Sequence, residues 1–365
     1  MKRLLTAAAA ALSITACTTS GPCAETVTST LNPGAEMQLT PCFVRAHTSL
    51  DADIRCTGEF GGVTLRRGDL GIFLGAELRI TPDSVFVREL NWYEVTEKTQ
   101  EITREAFAHG LKLEDAFHVS LTTAEHDQTG HLSITGPGFD LEKDIYWQGG
   151  GLPSLSNDGD SPISATLSFT RGDIGKKIWF LADSYFDEND QERWPYHMWQ
   201  EGYRDSWMAD HVPGGCSAQM LECFENDLRF GTPETAIWML GMNDPDDPHT
   251  GISQAWLTST ERFLEICREK GITPVLTAVP SVPERCHDFK DRWVRESGVR
   301  FIDWTAAVNA KPWDGSEEDL ASTAPSGMHR NWDTGLLYED NVHPTAAGAA
   351  VLWRQVKRDL PEILR

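Results

Sequence analysis

The chain has 365 residues, 40% hydrophobic and 24% charged, which places it among folded proteins long enough for two domains of ordinary size, each with its own core. Fifty-five acidic residues against 32 basic ones leave a formal charge of −23. That sign argues against nucleic acid and anionic membrane surfaces as partners and favours a neutral or modestly charged substrate. Thirteen tryptophans are many for this length. Exposed indoles stack on sugars, although most belong in cores.

Met1-Lys2-Arg3 is a short basic start, Leu4 to Ala16 is an apolar stretch too short to span a bilayer, and Ile14-Thr15-Ala16-Cys17 is a small-residue cleavage site ending in cysteine. The pattern resembles a bacterial lipoprotein signal. It predicts a signal over residues 1–17, with Cys17 as the lipidated N-terminus and the cell envelope as destination. An ordinary secretion signal cut nearby is the alternative. In either case the chain is expected to be exported, and to meet the membrane only through a lipid anchor.

Export permits disulfides. Seven of the eight cysteines remain after Cys17, so at least one stays unpaired within the chain. Cys216 and Cys223 are separated by roughly 10 Å of rise on a predicted helix, too far for a bond. Between Cys267 and Cys286 a predicted strand carries the chain about 20 Å across a sheet. Cys42 with Cys56, or one of these with Cys23, is left as the expected bridge. No cysteine–histidine spacing matches a structural zinc site.

Residues 18–44 are read as a linker, because 18–41 are rich in Thr, Ser, Pro and Gly and show no periodicity. From 45 to 172 short alternating segments are punctuated by Gly, Asp and Pro. Leu78/Ile80, Val85/Val87, Val119/Leu121, Leu132/Ile134 and Ala165/Leu167/Phe169 each put apolar side chains on one face at period two. One stretch, Glu97–Ala108, reads as a helix. The rest predicts an all-β antiparallel sandwich acting as an accessory domain. Such sandwiches often bind sugars. Trp92, Tyr93, Tyr146 and Trp147 could form a sugar platform, but closing the sandwich core or facing the second domain is the favoured reading. Gly149-Gly150-Gly151 lacks the strand–turn–helix context of a phosphate loop and reads as a turn.

After Arg171-Gly172-Asp173 strands alternate with longer helical patterns, which predicts a second domain over 173–365. Strands are expected at 177–181, 206–211, 235–240, 272–278 and 299–304, and helices at about 191–203, 216–229, 251–269, 284–296 and 345–358. Such alternation makes an α/β fold, a parallel sheet with helices on both faces and sites at the carboxyl ends of the strands. The first strand ends in Asp183-Ser184. The second runs into Pro213-Gly214-Gly215-Cys216-Ser217, where glycines let backbone N–H groups approach a ligand at a helix start. The third ends in Gly241-Met242-Asn243-Asp244. Far downstream, Asp340-Asn341-Val342-His343-Pro344 sets a carboxylate three residues before a histidine, at a helix that Pro344 can open. A serine is inert unless a base takes its proton and donors stabilise the oxyanion, and these four stretches supply both.

Serine, glycine, asparagine and Asp-x-x-His in that order, over residues 176–358, resemble the SGNH (GDSL) hydrolases. The resemblance implies a flavodoxin-like three-layer α/β/α domain. By it Ser184 is the nucleophile, His343 the general base and then acid, and Asp340 the partner that orients the histidine. The oxyanion hole combines the backbone N–H of Ser184, the backbone N–H of Gly214 and the side-chain amide of Asn243, with Gly215 replacing Gly214 if the loop is shifted by one. It implies no cofactor and no metal.

Two departures stand out. The first block usually reads Gly-Asp-Ser-Leu and is Ala182-Asp183-Ser184-Tyr185 here. Alanine is acceptable at 182 if its φ is negative, and Tyr185 becomes a candidate for the substrate wall, together with Trp332. The acidic run Asp244, Asp246 and Asp247 reads as a solvated loop rather than a cation site, and His287-Asp288 as a surface pair. The expected substrate is an acylated carbohydrate, with an acetyl or similar small acyl group. An envelope lipase or lysophospholipase, and a non-catalytic glycan-binding surface lipoprotein, are the alternatives.

Overall fold

The computed structural model describes residues 11–14, 23–40, 48–67, 75–82, 84–90, 98–103, 116–123, 129–136, 139–146, 153–171, 174–186, 193–203, 207–211, 214–244, 246–278, 287–309 and 343–364. The chain forms two compact units, Met1–Ile174 and Gly175–Arg365.

The first unit is built from two antiparallel sheets. One has seven strands in the order Ala11–Ile14, Cys23–Leu31, Ile163–Arg171, Thr48–Cys56, Ala116–Thr123, Thr129–Gly136 and Phe139–Tyr146. The other has six, in the order Glu36–Gln38, Pro153–Asn157, Val63–Arg67, Gly75–Ile80, Ser84–Leu90 and Lys98–Thr103. Burial alternates strictly along Thr48–Cys56 and Ile163–Arg171. Leu50, Ile54, Leu167 and Phe169 of the larger sheet share one apolar cluster with Leu78, Ile80, Val85 and Val87 of the smaller, so each period-two run contributes one face to a common core.

Glu97–Ala108 is not a helix where it is described: Lys98–Thr103 is a strand, paired from Ser84 with Thr103 to Glu89 with Lys98. Helix-favouring Lys, Gln and Glu yield to the ladder that the neighbouring strand offers. Nor are residues 23–40 a linker. Cys23–Leu31 pairs along all nine residues with Ile163–Arg171, Val27 and Leu31 join the core, and Met37 of Glu36–Gln38 does so from the other sheet. Threonine and serine masked the pattern, because β-branched threonine suits a pleated strand as well as a tether. The buried Glu25 carboxylate fixes the return of the chain, accepting the N–H and the hydroxyl of Thr40, each at 2.9 Å.

Cys56 is a free, buried thiol whose pKa burial pushes up, so of the expected bridges neither Cys42–Cys56 nor Cys23–Cys56 is formed. Cys42, Trp92, Tyr93, Trp147, the 149–151 glycines and Cys17 lie outside the described residues, as does the side chain of Tyr146.

The second unit is a five-stranded parallel sheet in the order Trp207–His211, Ile178–Ala182, Thr235–Met239, Thr273–Ala278 and Phe301–Asp303. Counted along the chain this is 2-1-3-4-5, the flavodoxin-like order. Ile178–Ala182 and Thr235–Met239 are buried at every position, because helices cover both faces and leave no polar side to alternate with. Phe180 and Ala182 point into a cluster with Trp194 and Met198 of helix Trp194–Gln200 and with Val351, Leu352 and Val356 of helix Ala346–Asp359. On the other side Trp179 meets Phe224 of helix Ser217–Asp227 edge-on, and Trp238 stacks on Phe263 of helix Gln254–Lys270 at 4.8 Å. Helix Asp288–Glu296 precedes the last strand, and Trp304–Asn309, which sequence reading missed, follows it without a loop. Trp179, Trp194, Trp207, Trp238, Trp256, Trp304 and Trp353 are all buried. Tryptophan is abundant here because this core is aromatic.

Leu31→Ala tests whether residues 23–31 belong to the fold. Loss of a buried leucine in a core strand is expected to cost about 2–5 kcal/mol in urea unfolding, whereas the same change in a tether would leave the midpoint unmoved.

Candidate functional site

Ala182 closes the first strand in extended backbone, so no glycine is required there. The chain then turns sharply. The Phe186 N–H donates to the Asp183 carbonyl at 3.0 Å, the Tyr185 N–H to Asp183 Oδ1 at 3.1 Å, and Arg193 Nε to the Ser184 carbonyl at 2.7 Å. Three bonds fix the turn and leave the Ser184 side chain partly exposed at its tip. His343 Nε2 lies 2.8 Å from Ser184 Oγ, although the two residues are 159 positions apart. The histidine enters just before helix Ala346–Asp359, whose start is capped by Thr345 Oγ1 accepting the Gly348 N–H at 3.2 Å. Asp340 and Trp332 lie outside the described residues.

Tyr185 is not a substrate wall. It is 2% exposed, stacks on Trp304 with centroids 4.9 Å apart, and turns its ring towards His343 at 6.2 Å. Tyr185 therefore packs behind the histidine.

The second strand leads to Gly214, at φ +76°, where a side chain would be strained. Cys216 precedes helix Ser217–Asp227, and its N–H donates to Gln219 Oε1 at 3.1 Å. No described residue accepts the N–H of Ser184 or of Gly214. Asn243 reaches the same rim from the third strand. Its Nδ2 donates to Asp183 Oδ2 and to the Gly215 carbonyl, each at 3.2 Å. Ser184, His343, Asn243 and the glycine loop are thus brought together, with the asparagine amide already engaged.

The acidic run after Asn243 is not a solvated loop. Asp244 is buried and accepts the N–H and hydroxyl of Ser217 at 3.0 and 2.9 Å, which ties the asparagine block to the helix behind the glycine block. Asp246 is buried too, paired at 2.9 Å with the fully buried ammonium of Lys290, which also donates to the Asp244 carbonyl. Only Asp247 is exposed, and its Oδ1 closes a turn by accepting the N–H groups of His249 and Thr250. The cation that the run serves is a lysine 44 positions away. His287, expected on the surface, is fully buried beside it at the start of helix Asp288–Glu296. Gly241, at φ +132°, is needed at this junction because a Cβ would come within 3.0 Å of Trp256 Nε1 and 3.2 Å of Lys290 Cδ. A cavity of about 670 Å³ opens beside Asn243, lined by Asp246, Pro248, Thr250, Ile252 and Gln254 among others. Among the described residues no three His, Cys, Asp or Glu side chains are grouped to hold a metal ion, and no helix is long and apolar enough to cross a membrane.

No family model and no curated protein matches the chain. Among solved structures it is similar to a GDSL-like lipase from Bacteroides thetaiotaomicron, at 15% identity over 51% of this chain and 88% of that one, with a TM-score of 0.36. It is similar also to a psychrotrophic esterase from Pseudoalteromonas, at 12% identity over 51% of this chain and 97% of that one, TM-score 0.36. A Bacillus subtilis protein matches across both units, at 13% identity over 92% of this chain and 88% of that one, TM-score 0.39. The chemistry is therefore read from the side chains themselves.

Electrostatics separate the acids at the rim. Burial, with repulsion from Asp244 added, pushes the Asp183 carboxyl up to about 7, against the Tyr185 N–H and Arg193, which favour the charged form. Burial likewise raises Asp244, opposed by its bonds from Ser217 and by Lys290. The Cys216 thiol is raised by burial and by both carboxylates, which keeps it protonated beside the site. Sequence reading missed Arg193 and Lys290. Arg193 gives no signal beyond preceding a Trp-Pro helix start, whereas the unexplained acidic run called for a cation.

Two outcomes follow from this geometry. Lys290→Met leaves Asp246 buried and unpaired, and is expected to cost about 3–5 kcal/mol in urea unfolding. An unchanged midpoint would mean that the pair contributes nothing. Asp183 holds its proton in the folded state up to about pH 7, against 3.8 for the ordinary carboxyl. Between those values the unfolded chain binds fewer protons, so this group's contribution to stability is present below about pH 4 and is lost as pH rises to about 7. Wild type should therefore lose stability relative to Asp183→Asn across that window, and parallel curves would refute the shift.

Proposed function

We propose that this chain is a serine esterase that removes a small acyl group, acetyl or similar, from a carbohydrate. The observation that supports it is the 2.8 Å contact between Ser184 Oγ and His343 Nε2 at the carboxyl edge of a parallel sheet. Ser184 Oγ attacks the ester carbonyl carbon as its proton passes to His343 Nε2. The carbonyl electrons move onto oxygen, towards the backbone N–H groups of Ser184 and Gly214, the two donors that no described residue uses. The C–O bond to the sugar breaks, and the departing alkoxide takes the proton from His343. Water then attacks the acyl-serine, His343 again accepting the proton; the C–O bond to Ser184 breaks, Ser184 Oγ takes that proton back, and the acid leaves. Asp340, three residues before His343, is assigned the orienting role.

The carbohydrate assignment draws on the export signal and on the β-rich first unit, read as a sandwich. With seven tryptophans buried in the hydrolase unit, their number no longer supports it. Export, with Cys17 lipidated at the cell envelope, belongs to the same reading; cleavage before Cys17 would remove Ala11–Ile14, which the structure pairs with Cys23–Leu31 at the end of the seven-stranded sheet.

Ser184→Ala is expected to reduce hydrolysis of a small aryl acetate by about 10⁴-fold or more. Retained turnover would remove Ser184 from the mechanism. Acetate release from a panel of acetylated polysaccharides is expected from wild type alone. Faster turnover of long acyl chains than of acetyl would point to a lipase. Polysaccharide binding without hydrolysis would point to a binding protein.

A further inference from the structure

Asp183 is buried beneath the nucleophile turn, at 1% exposure. Its two oxygens serve two different N–H donors: Oδ1 accepts from Tyr185 N within the turn, and Oδ2 accepts from Asn243 Nδ2 across the rim. The same Asn243 nitrogen donates to the Gly215 carbonyl. One carboxylate and one amide therefore connect the serine turn, the asparagine block and the glycine loop, whose relative placement decides whether oxyanion donors converge on a point.

We propose that Asp183 is a positioning residue for the esterase reaction: by holding the Asn243 amide, and through it Gly215, its carboxylate sets the geometry of the oxyanion hole in step with the Ser184 turn. The proposal rests on the esterase reading above. In the resting site both amide hydrogens have an acceptor, so stabilising an oxyanion requires Asn243 to move or to share one of them, and Asp183 governs how easily that happens. Among the described residues, the charged and titratable groups facing Asp183 are Arg193 from the start of helix Trp194–Gln200, Asp244 from the asparagine block, and Cys216 from the glycine loop. Only Arg193 favours its charged form. The carboxyl changes charge near neutrality, so its control of the amide is expected to appear in the pH profile.

Asp183→Asn separates positioning from mere filling of space. An amide has nearly the same shape but only one acceptor oxygen for the two N–H donors, so one of the two bonds is lost. With aryl acetate at pH 8, kcat is expected to fall about 10–100-fold with KM unchanged, less than the about 10²–10³ for outright loss of an oxyanion donor because Asn243 is misplaced rather than removed. The acid limb of the kcat profile should lose the step near pH 7 that Asp183 contributes. If Asp183 acts through Asn243, the double variant Asp183→Asn with Asn243→Ala loses no more than Asn243→Ala alone. Additive losses, or an Asp183→Asn enzyme with wild-type kcat and pH profile, would overturn the proposal. A thermal melt of each variant checks that it folds.

A readout that needs no turnover keeps this separate from the esterase reading. Carbon-13 NMR of the Asp183 carboxyl should titrate at higher pH in Asn243→Ala than in wild type, because a donor to the charged form has been removed. An unchanged midpoint sinks the positioning role even in an active esterase. A raised midpoint in a protein that cleaves no ester supports the geometry and refutes the esterase reading alone.

Discussion

The parallel register of three strands is the constraint from which the site follows. Ile178–Ala182 pairs rung for rung with Trp207–His211 on one side and Thr235–Met239 on the other, and ends at Ala182 opposite His211 and Met239. Three loops thus leave the sheet at one level. Because the first strand lies between the second and third, they also leave around the place where strand order reverses, where crossovers diverge to opposite faces and open a crevice. Serine, glycine and asparagine meet there although the chain visits them tens of residues apart. The histidine arrives on a separate element, and its helix is pressed against the sheet by Val351, Leu352 and Val356.

Holding that level costs buried charge, and each charge has its own compensation. Asp183 is satisfied by two N–H groups, Asp244 by a serine N–H and hydroxyl, and Asp246 by a lysine ammonium. None of these acids faces solvent, and each spans two segments distant in sequence. A hydrogen-bonded acid behind a loop positions it more sharply than apolar packing would, because a misplaced bond in a low-dielectric interior leaves an unsatisfied charge.

The strands of the second unit were legible because burial on both faces writes them as unbroken apolar runs between turn signals, as in Ile178–Ala182. Ser184 and His343 were legible because their surroundings are short motifs at strand and helix ends. What escaped depends on distant partners. The Asp244–Asp247 run looked solvated because Lys290 lies on another helix, and Tyr185 looked like a substrate contact because Trp304 behind it comes from the far edge of the sheet. Residues 23–31 were misread for a different reason. A strand held mainly by its ladder to Ile163–Arg171, with Val27 and Leu31 as its core contacts, has too few apolar residues to display a period.

That ladder has a kinetic side. Thr26 Oγ1 meets Ser168 Oγ at 2.9 Å across 142 positions, whereas Thr129–Gly136 and Phe139–Tyr146 form a hairpin from neighbouring residues. Loop-closure entropy makes local pairings quick and remote ones slow. Nearly the whole first unit must be made before Cys23–Leu31 has its partner strand, which ends only a few residues before the parallel sheet begins. A strand synthesised early in the unit is thus among the last to find its place in the sheet.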